Sequence, residues 1–459
     1  MPPPQSTSPG VAADPGSKYR WVICGLLFFA TTINYLDRQV ISYLKEFFCT
    51  PAAQGGFGWS NTDFANLTAS FTAFYAGMTV LAGWVIDKIG TKMGLAISLI
   101  VWSIFGILNA FVGHMVMMHI LVRSAFGIGE AGNFPASIKT VAEWFPKRER
   151  ALATGIFNSG SNFGAMIAAL LIPWCMIYFG DEKGWKMAFI LTGSIGFLWL
   201  FFWFWLYDTP ARQKRLSKAE YDYIHSDDEG APVLDANGDK AKVPWSRLFS
   251  YRQTWAFFFG KFLTDGVWWF YLFWLPDYLK KQFGMTKQEV MWPTFIVYGV
   301  AIIGSVYGGS IPMTFMKRGM PVYRARMTAM LLLALLPLTV LSTQYFGNVS
   351  RFGSWASVLA VAVICIGAAA HQAWSANLFT TVSDMFPKKT VGSVTGIGAM
   401  AGGLGGVIVQ KLAGGLTDAF KETPQTAYFF MFVVCALSYL IAWGVMKALV
   451  PRYRPITDL

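Results

Sequence analysis

The chain has 459 residues, of which 54% are hydrophobic and 14% charged, and its formal net charge is +12. Soluble domains carry about 25% charged residues, so there are too few charged side chains to cover the several soluble domains that this length could hold. The composition excludes an ordinary soluble protein and predicts an all-α chain that crosses a membrane many times.

Apolar runs long enough to span a bilayer, about 20 residues each, occur twelve times. In chain order they are predicted at 19–44, 62–86, 93–112, 115–141, 151–178 and 186–207, then at 253–279, 291–316, 325–344, 355–380, 391–417 and 425–447. The polar segment 208–252 divides them into an N-terminal half, 19–207, and a C-terminal half, 253–447. Residues 1–18, rich in Pro, Ser, Gly and Ala, predict a disordered tail without a signal peptide, and 448–459 form a second tail.

The basic residues between the spans are unevenly distributed. Sixteen fall in the termini and in one alternate set of loops, and eight fall in the opposite set. The positive-inside rule therefore predicts that both termini and the central loop are cytoplasmic. The surplus positive charge is explained by topology and lipid headgroups and does not indicate nucleic-acid binding. The five cysteines are scattered without a CxxC, so neither a metal site nor a disulfide framework is predicted.

An internal repeat relates the two halves. Residues 141–164 align without a gap to residues 382–405, with identical Val, Phe, Pro, Lys, Thr, Gly and Ile positions and a shared final Gly. Such a match at half the chain length predicts two pseudo-symmetric six-helix halves related by an axis along the membrane normal.

Eight charged residues fall at membrane depth, where each costs a few kcal/mol unless it is paired or hydrated. Lys139 and Lys411 lie near span ends, which favours a snorkelling or helix-end charge. The other six are the candidates for function: Asp37, Arg38, Arg123, Glu130, Lys261 and Asp265.

Helical spacing groups these charges into faces. Arg123 and Glu130 are seven residues apart and share one face, although not at the spacing of an ideal pair. Lys261 and Asp265 are four apart, and Trp268 lies on their side. A structural ion pair and a substrate contact both remain open for Lys261 and Asp265.

Asp37 and Arg38 are adjacent and point in different directions. The natural division gives Arg38 the anion and Asp37 a proton-titratable or gating role. On the tenth span, His371 stands near other polar side chains, and either a helix–helix hydrogen bond or substrate binding would explain it. The polar and aromatic side chains expected at a cavity face are Tyr35, Tyr75, Trp268, His371, Gln372, Trp374 and Asn377.

The loop after the second span reads Gly-Trp-Val-Ile-Asp-Lys-Ile-Gly-Thr-Lys at 83–92. It resembles the signature loop of the major facilitator superfamily, in which the acid caps a neighbouring helix and the basic residues bridge between helices. The resemblance implies a cytoplasmic latch made by Asp87 and Lys88. The counterpart at 309–319 lacks the acid, so a weaker latch is expected there.

Within that superfamily the chain is similar to the anion:cation symporter family and resembles its bacterial hexuronate transporters. The resemblance is carried by the segments 33–38, 123–135, 144–150, 261–276 and 371–379. It implies that Arg38 and Arg123 coordinate or gate the anionic substrate and that Asp37 and Glu130 couple protons. The stretch 159–162 stands where a related sugar-acid transporter places a Gln, and Asn162 is the candidate contact there.

The sequence therefore predicts a proton-coupled symporter that imports hexuronates, such as galacturonate or glucuronate, across a bacterial inner membrane. Arg38, Lys261 or Arg123 would hold the carboxylate, Trp268 and Trp374 would lie against the sugar, and protonated Glu130 would free Arg123. No cofactor and no enzymatic activity are expected, because neither paired catalytic groups nor metal-ligand spacing is present. The expected partners are a small anion, protons and lipid, and a monomer is expected.

Three alternatives stay open. The nearest is a symporter for another small organic anion, such as an aldonate or lactate. A proton-antiport exporter and a sensor that does not transport are the others.

Overall fold

The computed structural model describes residues 18–226 and 244–456, and within these ranges every regular element is a helix. Residues 1–17, 227–243 and 457–459 lie outside the described part, and with them lie nearly all of the predicted disordered tail and the middle of the central loop. The N-terminal half and the start of the central segment contain α1 Tyr19–Cys49, α2 Asn61–Ile89, α3 Thr91–Leu108, α4 Val116–Glu130, α5 Asn133–Trp144, α6 Lys147–Leu206 and α7 Lys218–Ile224.

The rest of the chain begins with the short helix α8 Trp245–Leu248. It continues with α9 Arg252–Phe283, α10 Met291–Gly308, α11 Ile311–Lys317, α12 Val322–Leu335, α13 Thr343–Phe346, α14 Val349–Phe352, α15 Trp355–Met385, α16 Lys388–Ala419 and α17 Pro424–Leu449. Short 3₁₀ turns lie at Ala52–Gln54, Asn109–Phe111 and Leu336–Ser342. Helices α1–α6 form the N half and α9–α17 form the C half.

The fifth and sixth predicted spans are both part of α6, which turns sharply at Gly180. That residue has φ 71 and ψ 166, a conformation that glycine adopts without steric cost. The chain then runs back on itself, because a Cβ on Gly184 would lie 2.8 Å from both the carbonyl oxygen of Cys175 and the Cα of Met176. The predicted pair of spans is therefore two helices joined by a glycine turn.

Other predicted spans are broken into shorter pieces. The fourth consists of α4 and α5, and the chain bends at Ala131 and Gly132, where a Cβ on Gly132 would lie 1.9 Å from Ser98 Oγ. Pro135 lies beyond this bend, in the first turn of α5, where its missing N–H costs no hydrogen bond. The eighth span consists of α10 and α11, and the ninth runs through α12, a 3₁₀ turn and α13.

Within residues 18–226 and 244–456, eight helical segments are long and apolar enough to cross a membrane. One of them is α6, which carries two spans, so nine of the twelve predicted spans are accounted for. The remaining three lie on α1, on α4 with α5, and on α9. These three segments hold the six charges singled out from the sequence. The charges lower the mean hydropathy of the segments that contain them.

The repeat has a structural cause in each half. Gly164 of α6 lies against α1, where an added Cβ would be 2.3 Å from the carbonyl oxygen of Thr32. Its repeat partner, Gly405 of α16, lies against α9, where a Cβ would be 1.9 Å from the carbonyl oxygen of Phe262. Equivalent glycines thus allow the same close helix crossing in both halves. The halves meet through three helix pairs, α1 with α9, α2 with α16, and α6 with α10.

Candidate functional site

Arg38 and Glu130 form a buried ion pair in the N half. Arg38 Nε and Nη2 lie 2.9 and 2.8 Å from Glu130 Oε2, and Nη2 also donates to Asn34 Oδ1 at 3.2 Å. Both charged residues are 1% exposed. Glu130 Oε1 accepts no hydrogen bond from the described part of the chain. Because the pair is removed from water, either charge would be costly without the other.

Four aromatic rings enclose the Arg38 guanidinium. Its Cζ lies 4.4 Å from the ring of Tyr35, 4.7 Å from Tyr75, 5.1 Å from Trp269 and 5.4 Å from Phe71. Such contacts stabilise a cation by about 0.5–2 kcal/mol each, most when water is excluded. Tyr35 and Tyr75 were predicted at the site. Trp269 and Phe71 were not, and Trp269 comes from the C half.

Arg123 lies next to Arg38 and makes no hydrogen bond to Glu130 in the described chain. Its Nη2 donates to the backbone oxygen of Arg38 at 3.1 Å, and its guanidinium lies 4.3 Å from the ring of Phe126. The side chain is 1% exposed, and Nη1 has no hydrogen-bond acceptor in the described ranges. Within the described chain, the carboxylate of Glu130 bonds to Arg38 and not to Arg123. Release of Arg123 on protonation of Glu130 stays a prediction.

Asp37 points away from this pair, toward α3 and the second part of α6. It is 2% exposed, and neither carboxyl oxygen accepts a hydrogen bond within the described chain. The polar and charged groups that act on it are Thr192, Glu130, Arg123 and Trp102. It is therefore a second buried carboxyl that lies outside the aromatic cage.

The C half has its own cation and acid. Lys261 Nζ lies 2.6 Å from Asp265 Oδ2 and 4.6 Å from the centre of the Phe379 ring. Gly402 of α16 makes room for the acid, since a Cβ there would be 2.2 Å from Asp265 Oδ2. The structural ion pair that the sequence allowed is present. A substrate contact by Lys261 stays a prediction.

His371 belongs to a packed aromatic group. Its Nδ1 is hydrogen-bonded to the Tyr439 hydroxyl at 2.7 Å, and its ring stacks on Trp268 at 5.1 Å with an interplanar angle of 4°. Trp374 is fully buried with its edge against Tyr439. Its expected place at a cavity face is thus not observed, because α15 turns it into the core of the C half. Any substrate role for Trp374 remains a prediction.

Polar side chains bridge the halves at the depth of the site. Gln372 donates to Asn162 Oδ1 at 3.4 Å, which brings together two residues that the sequence proposed separately. Gln39 donates to the Tyr298 hydroxyl at 3.0 Å. Asn377, in contrast, donates to the backbone oxygens of Gly308 and Ala373 at 2.8 and 2.9 Å and fastens α15 to α10.

A buried charge cluster joins the halves at one end of the bundle, which we call the Lys45 end. Lys45 of α1 lies 2.6 Å from Asp277 Oδ2 of α9, and Lys281 lies 3.0 Å from the same atom. The Tyr428 hydroxyl also donates to Asp277. Lys45 and Asp277 are 1% and 5% exposed. Two lysines and a tyrosine from three helices therefore converge on one carboxylate.

A second carboxylate at the Lys45 end caps a helix of the opposite half. Asp418, in the last turn of α16, accepts from the backbone N–H groups of Asn61 and Thr62 at 3.1 and 2.7 Å, and from their side chains at 2.8 and 2.5 Å. These N–H groups belong to the first turn of α2, which has no intrahelical acceptors for them. The start of an N-half helix is thus held by a C-half acid.

The opposite end, which we call the Asp87 end, is connected differently. Asp87 lies 2.9 Å from Lys139 and Arg326 lies 2.6 Å from Asp384, so each pair stays within one half. Lys88 rests on the ring of Trp84 at 3.8 Å and does not bridge helices as expected. Among the described residues, the ion pairs that cross between the halves all lie at the Lys45 end.

The two residues assigned to snorkelling are also accounted for. Lys139 is the partner of Asp87, in an exposed pair of small energetic value. Lys411 donates to Asn66 and so joins α16 to α2. Both side chains are partly exposed where helices meet, and their assignment as snorkelling or helix-end charges stays a prediction.

Comparison with known proteins identifies the architecture. The chain is 29% identical over 429 residues to the hexuronate transporter of Escherichia coli K12, which covers 93% of this chain and 94% of that one. It is 27% identical over 444 residues to the D-galactonate transporter of Escherichia coli O6:H1, with 95% and 98% covered.

Solved structures share the fold at lower identity. A bacterial homologue of the human lysosomal transporter Spinster, solved in an inward-facing and unoccupied conformation, superposes with a TM-score of 0.71 at 18% identity. The superposition covers 96% of this chain and 100% of that one. The predicted all-α fold of two six-helix halves is thereby confirmed. The family model described as the Major Facilitator Superfamily matches residues 27–410, so the chain belongs to that superfamily and is a membrane transporter, not an enzyme.

Proposed function

We propose that the protein is a proton-coupled symporter that imports hexuronates, such as galacturonate or glucuronate, by alternating access. The observation that carries this proposal is the Arg38–Glu130 pair, sealed in an aromatic cage where the two halves meet. A guanidinium binds a carboxylate more strongly and with more defined geometry than other cations do. In this structure that position on Arg38 is taken by the protein's own acid, Glu130.

Proton coupling follows from this competition. A substrate carboxylate that approaches Arg38 would meet Glu130 on the same guanidinium, and two buried carboxylates cannot share one cation without a large cost. Protonation of Glu130 removes that conflict and frees the guanidinium for substrate. Proton and anion then favour the same bound state, which is the linkage that a symporter needs.

The uneven closure of the two ends supports alternating access. Ion pairs and a helix cap hold the halves together at the Lys45 end, and the ion pairs described at the Asp87 end stay within one half. The positive-inside rule places the Asp87 end in the cytoplasm. On this assignment the structure is inward-facing, both termini are cytoplasmic, and the protein lies in a bacterial inner membrane.

The relatives support the substrate class. Full-length relatives in Escherichia coli are named for hexuronates, for D-galactonate and, as a probable assignment, for galactarate and D-glucarate, all of which are sugar acids. The D-galactonate relative makes an aldonate the second candidate substrate. The discriminating measurement is a binding comparison between the two classes.

The central test is uptake of labelled galacturonate into proteoliposomes with an imposed inward proton gradient. We expect accumulation above equilibrium that disappears when the gradient is collapsed. Uptake that is insensitive to the gradient would show that symport is wrong, while absent uptake of both uronate and aldonate would exclude both candidate substrates.

A matched pair of variants locates the coupling. Glu130→Gln should retain counterflow exchange and lose gradient-driven accumulation, because it mimics the protonated acid permanently. Glu289→Gln is the control, since Glu289 lies in an exposed loop, where its carboxylate accepts hydrogen bonds from the backbone N–H and the hydroxyl of Thr286. This change should leave both exchange and accumulation intact. Loss of both exchange and accumulation in Glu130→Gln would place Glu130 in binding and not in coupling.

A further inference from the structure

Trp269 is the ring of the Arg38 cage that comes from the opposite half. It lies 5.1 Å from the Arg38 guanidinium carbon. Its ring also meets Tyr75 at 6.0 Å and Phe71 at 6.1 Å, with interplanar angles of 70° and 71°. On its own helix it stacks on Phe273 at 5.8 Å. The indole is therefore held by stacking within α9 and reaches across the interface between the halves.

Space for this indole is provided by a glycine on α16. A Cβ on Gly406 would lie 2.6 Å from Trp269 Cδ1 and 3.0 Å from Thr72 Cγ2. A glycine is therefore needed where α16, α2 and the Trp269 ring meet. Trp269 is 7% exposed and Arg38 is 1% exposed, so a carboxylate from outside reaches the guanidinium only after a ring is displaced.

Movement of the halves would displace Trp269 in particular. Tyr35, Tyr75 and Phe71 move with Arg38, because all of them belong to the N half, and Trp269 moves with the C half. A change in the angle between the halves therefore separates the indole from the guanidinium and opens a slot between them. A ligand in that slot has a cation on one side and a flat aromatic face on the other.

We propose that Trp269 forms the C-half wall of the anion site and makes the site prefer cyclic sugar acids to open-chain sugar acids of equal charge. This inference rests on the proposed function. A pyranose ring presents a rigid face of C–H groups that can lie flat on an indole while its carboxylate meets Arg38. An open-chain acid must give up the freedom of several bonds to present such a face.

The other tryptophans near the site are less suited to this role. Trp268 has one face stacked on His371, and Trp374 is fully buried against Tyr439. Neither lies beside Arg38. The contact with the guanidinium singles out Trp269 as a residue that positions the substrate.

The test compares two six-carbon monoanions, galacturonate and galactonate, binding to the purified full-length protein and its variants. Trp269→Leu removes the aromatic face, and Trp269→Phe keeps a smaller one. We expect galacturonate affinity to fall about five- to tenfold in Trp269→Leu, the size of one aromatic stacking contact, while galactonate affinity changes less than about twofold. Trp269→Phe should lie between wild type and Trp269→Leu in the ratio of the two affinities.

Trp255→Leu is the matched control on the same helix. It removes a half-exposed indole that donates to the backbone oxygen of Phe249, and it should leave the ratio unchanged. An unchanged ratio in both Trp269 variants would overturn the inference, as would equal losses for both acids. If wild type binds neither acid, the proposed function itself fails. If Trp269→Leu does not fold, the ratio in Trp269→Phe decides.

Discussion

Asp277 is shared by Lys45, Lys281 and Tyr428, and this sharing determines what each substitution costs. Removing the acid leaves Lys45, which is 1% exposed, without a counter-charge. Removing Lys45 leaves Asp277 still paired with Lys281 at 3.0 Å and hydrogen-bonded to Tyr428. The two single changes at one ion pair are therefore not equivalent.

We expect Asp277→Asn to lower the free energy of unfolding by about 3–5 kcal/mol, the usual loss when one partner of a buried pair is removed. Lys45→Met should cost clearly less. Lys280→Met is the control, because its partner Glu46 is half exposed and such pairs contribute about 0–1 kcal/mol. Thermal unfolding in detergent measures all three, and equal losses for Asp277→Asn and Lys45→Met would contradict the shared-carboxylate description.

At the residue scale, the sequence predicted the charges of the site and missed their partners. The Lys261–Asp265 contact was predictable because i, i+4 spacing on one helix is local. The Arg38–Glu130 contact joins residues 92 positions apart, and no local spacing reveals it. Lys45 was assigned to a loop, because the apolar run ends at 44, but α1 continues to Cys49 and carries Lys45 into the interface.

At the element scale, α2 begins under a cap supplied by α16. An N-cap acceptor contributes about 1 kcal/mol to a helix, and because Asp418 belongs to the other half, that energy is lost when the Lys45 end opens. We expect Asp418→Ala to raise the open population about fivefold, the equivalent of about 1 kcal/mol. The measurement is the rate at which a maleimide labels Ser42→Cys in a Cys49→Ser background. Ser42 is buried, and its hydroxyl donates to the backbone oxygen of Phe273 across the interface. A cysteine at this position is therefore labelled only when the halves separate.

Asp63→Ala is the matched control for this prediction. Asp63 forms a capping box with Ser60 at the same helix end, entirely within the N half. Its loss should weaken α2 in the open and closed states alike and leave the labelling rate nearly unchanged. Equal labelling of the Asp418 and Asp63 variants would argue against a cap that acts between the halves.

The repeated glycines allow a paired test. Gly164→Ala and Gly405→Ala each place a Cβ too close to a backbone oxygen, at 2.3 and 1.9 Å. A backbone oxygen cannot move aside as easily as a flexible side chain can. Both variants should unfold at lower temperature than wild type. Gly155→Ala on α6 meets no atom within 4 Å and should be neutral or slightly stabilising. A loss in only one half would contradict an equivalent role for the two glycines.

At the scale of the whole molecule, transport requires the Lys45 end to open. A short bismaleimide cross-link between Glu46→Cys and Lys280→Cys, whose native side chains pair at 2.6 Å across the halves, should abolish counterflow. The control cross-links Lys92→Cys to Asp208→Cys, a native pair on the N-half side at 3.2 Å, and should leave counterflow intact. Continued exchange in the first cross-linked protein would exclude rocking of the halves as the transport motion.

The overall fold was largely predictable from the sequence. The number of spans follows from local apolar runs, and the division into two halves follows from the alignment of residues 141–164 with 382–405. The interruptions at Ala131–Gly132 and in the ninth span were not predictable, since they depend on which neighbour each helix meets. The end at which the halves close was also beyond the sequence. A transporter visits several arrangements with the same residues, and it is the contacts between the halves, such as those of Lys45, Asp277 and Asp418, that reveal which arrangement is present.

The pairing pattern of the membrane charges also bears on how the protein is made. Lys261 and Asp265 emerge on the same helix, so α9 can enter the bilayer with its charges already matched. Arg38 emerges on α1, but its counter-ion Glu130 is translated 92 residues later. A nascent chain therefore carries an unmatched arginine on α1 until α4 has been synthesised. In contrast to α9, α1 enters the membrane before the counter-ion of its buried arginine exists.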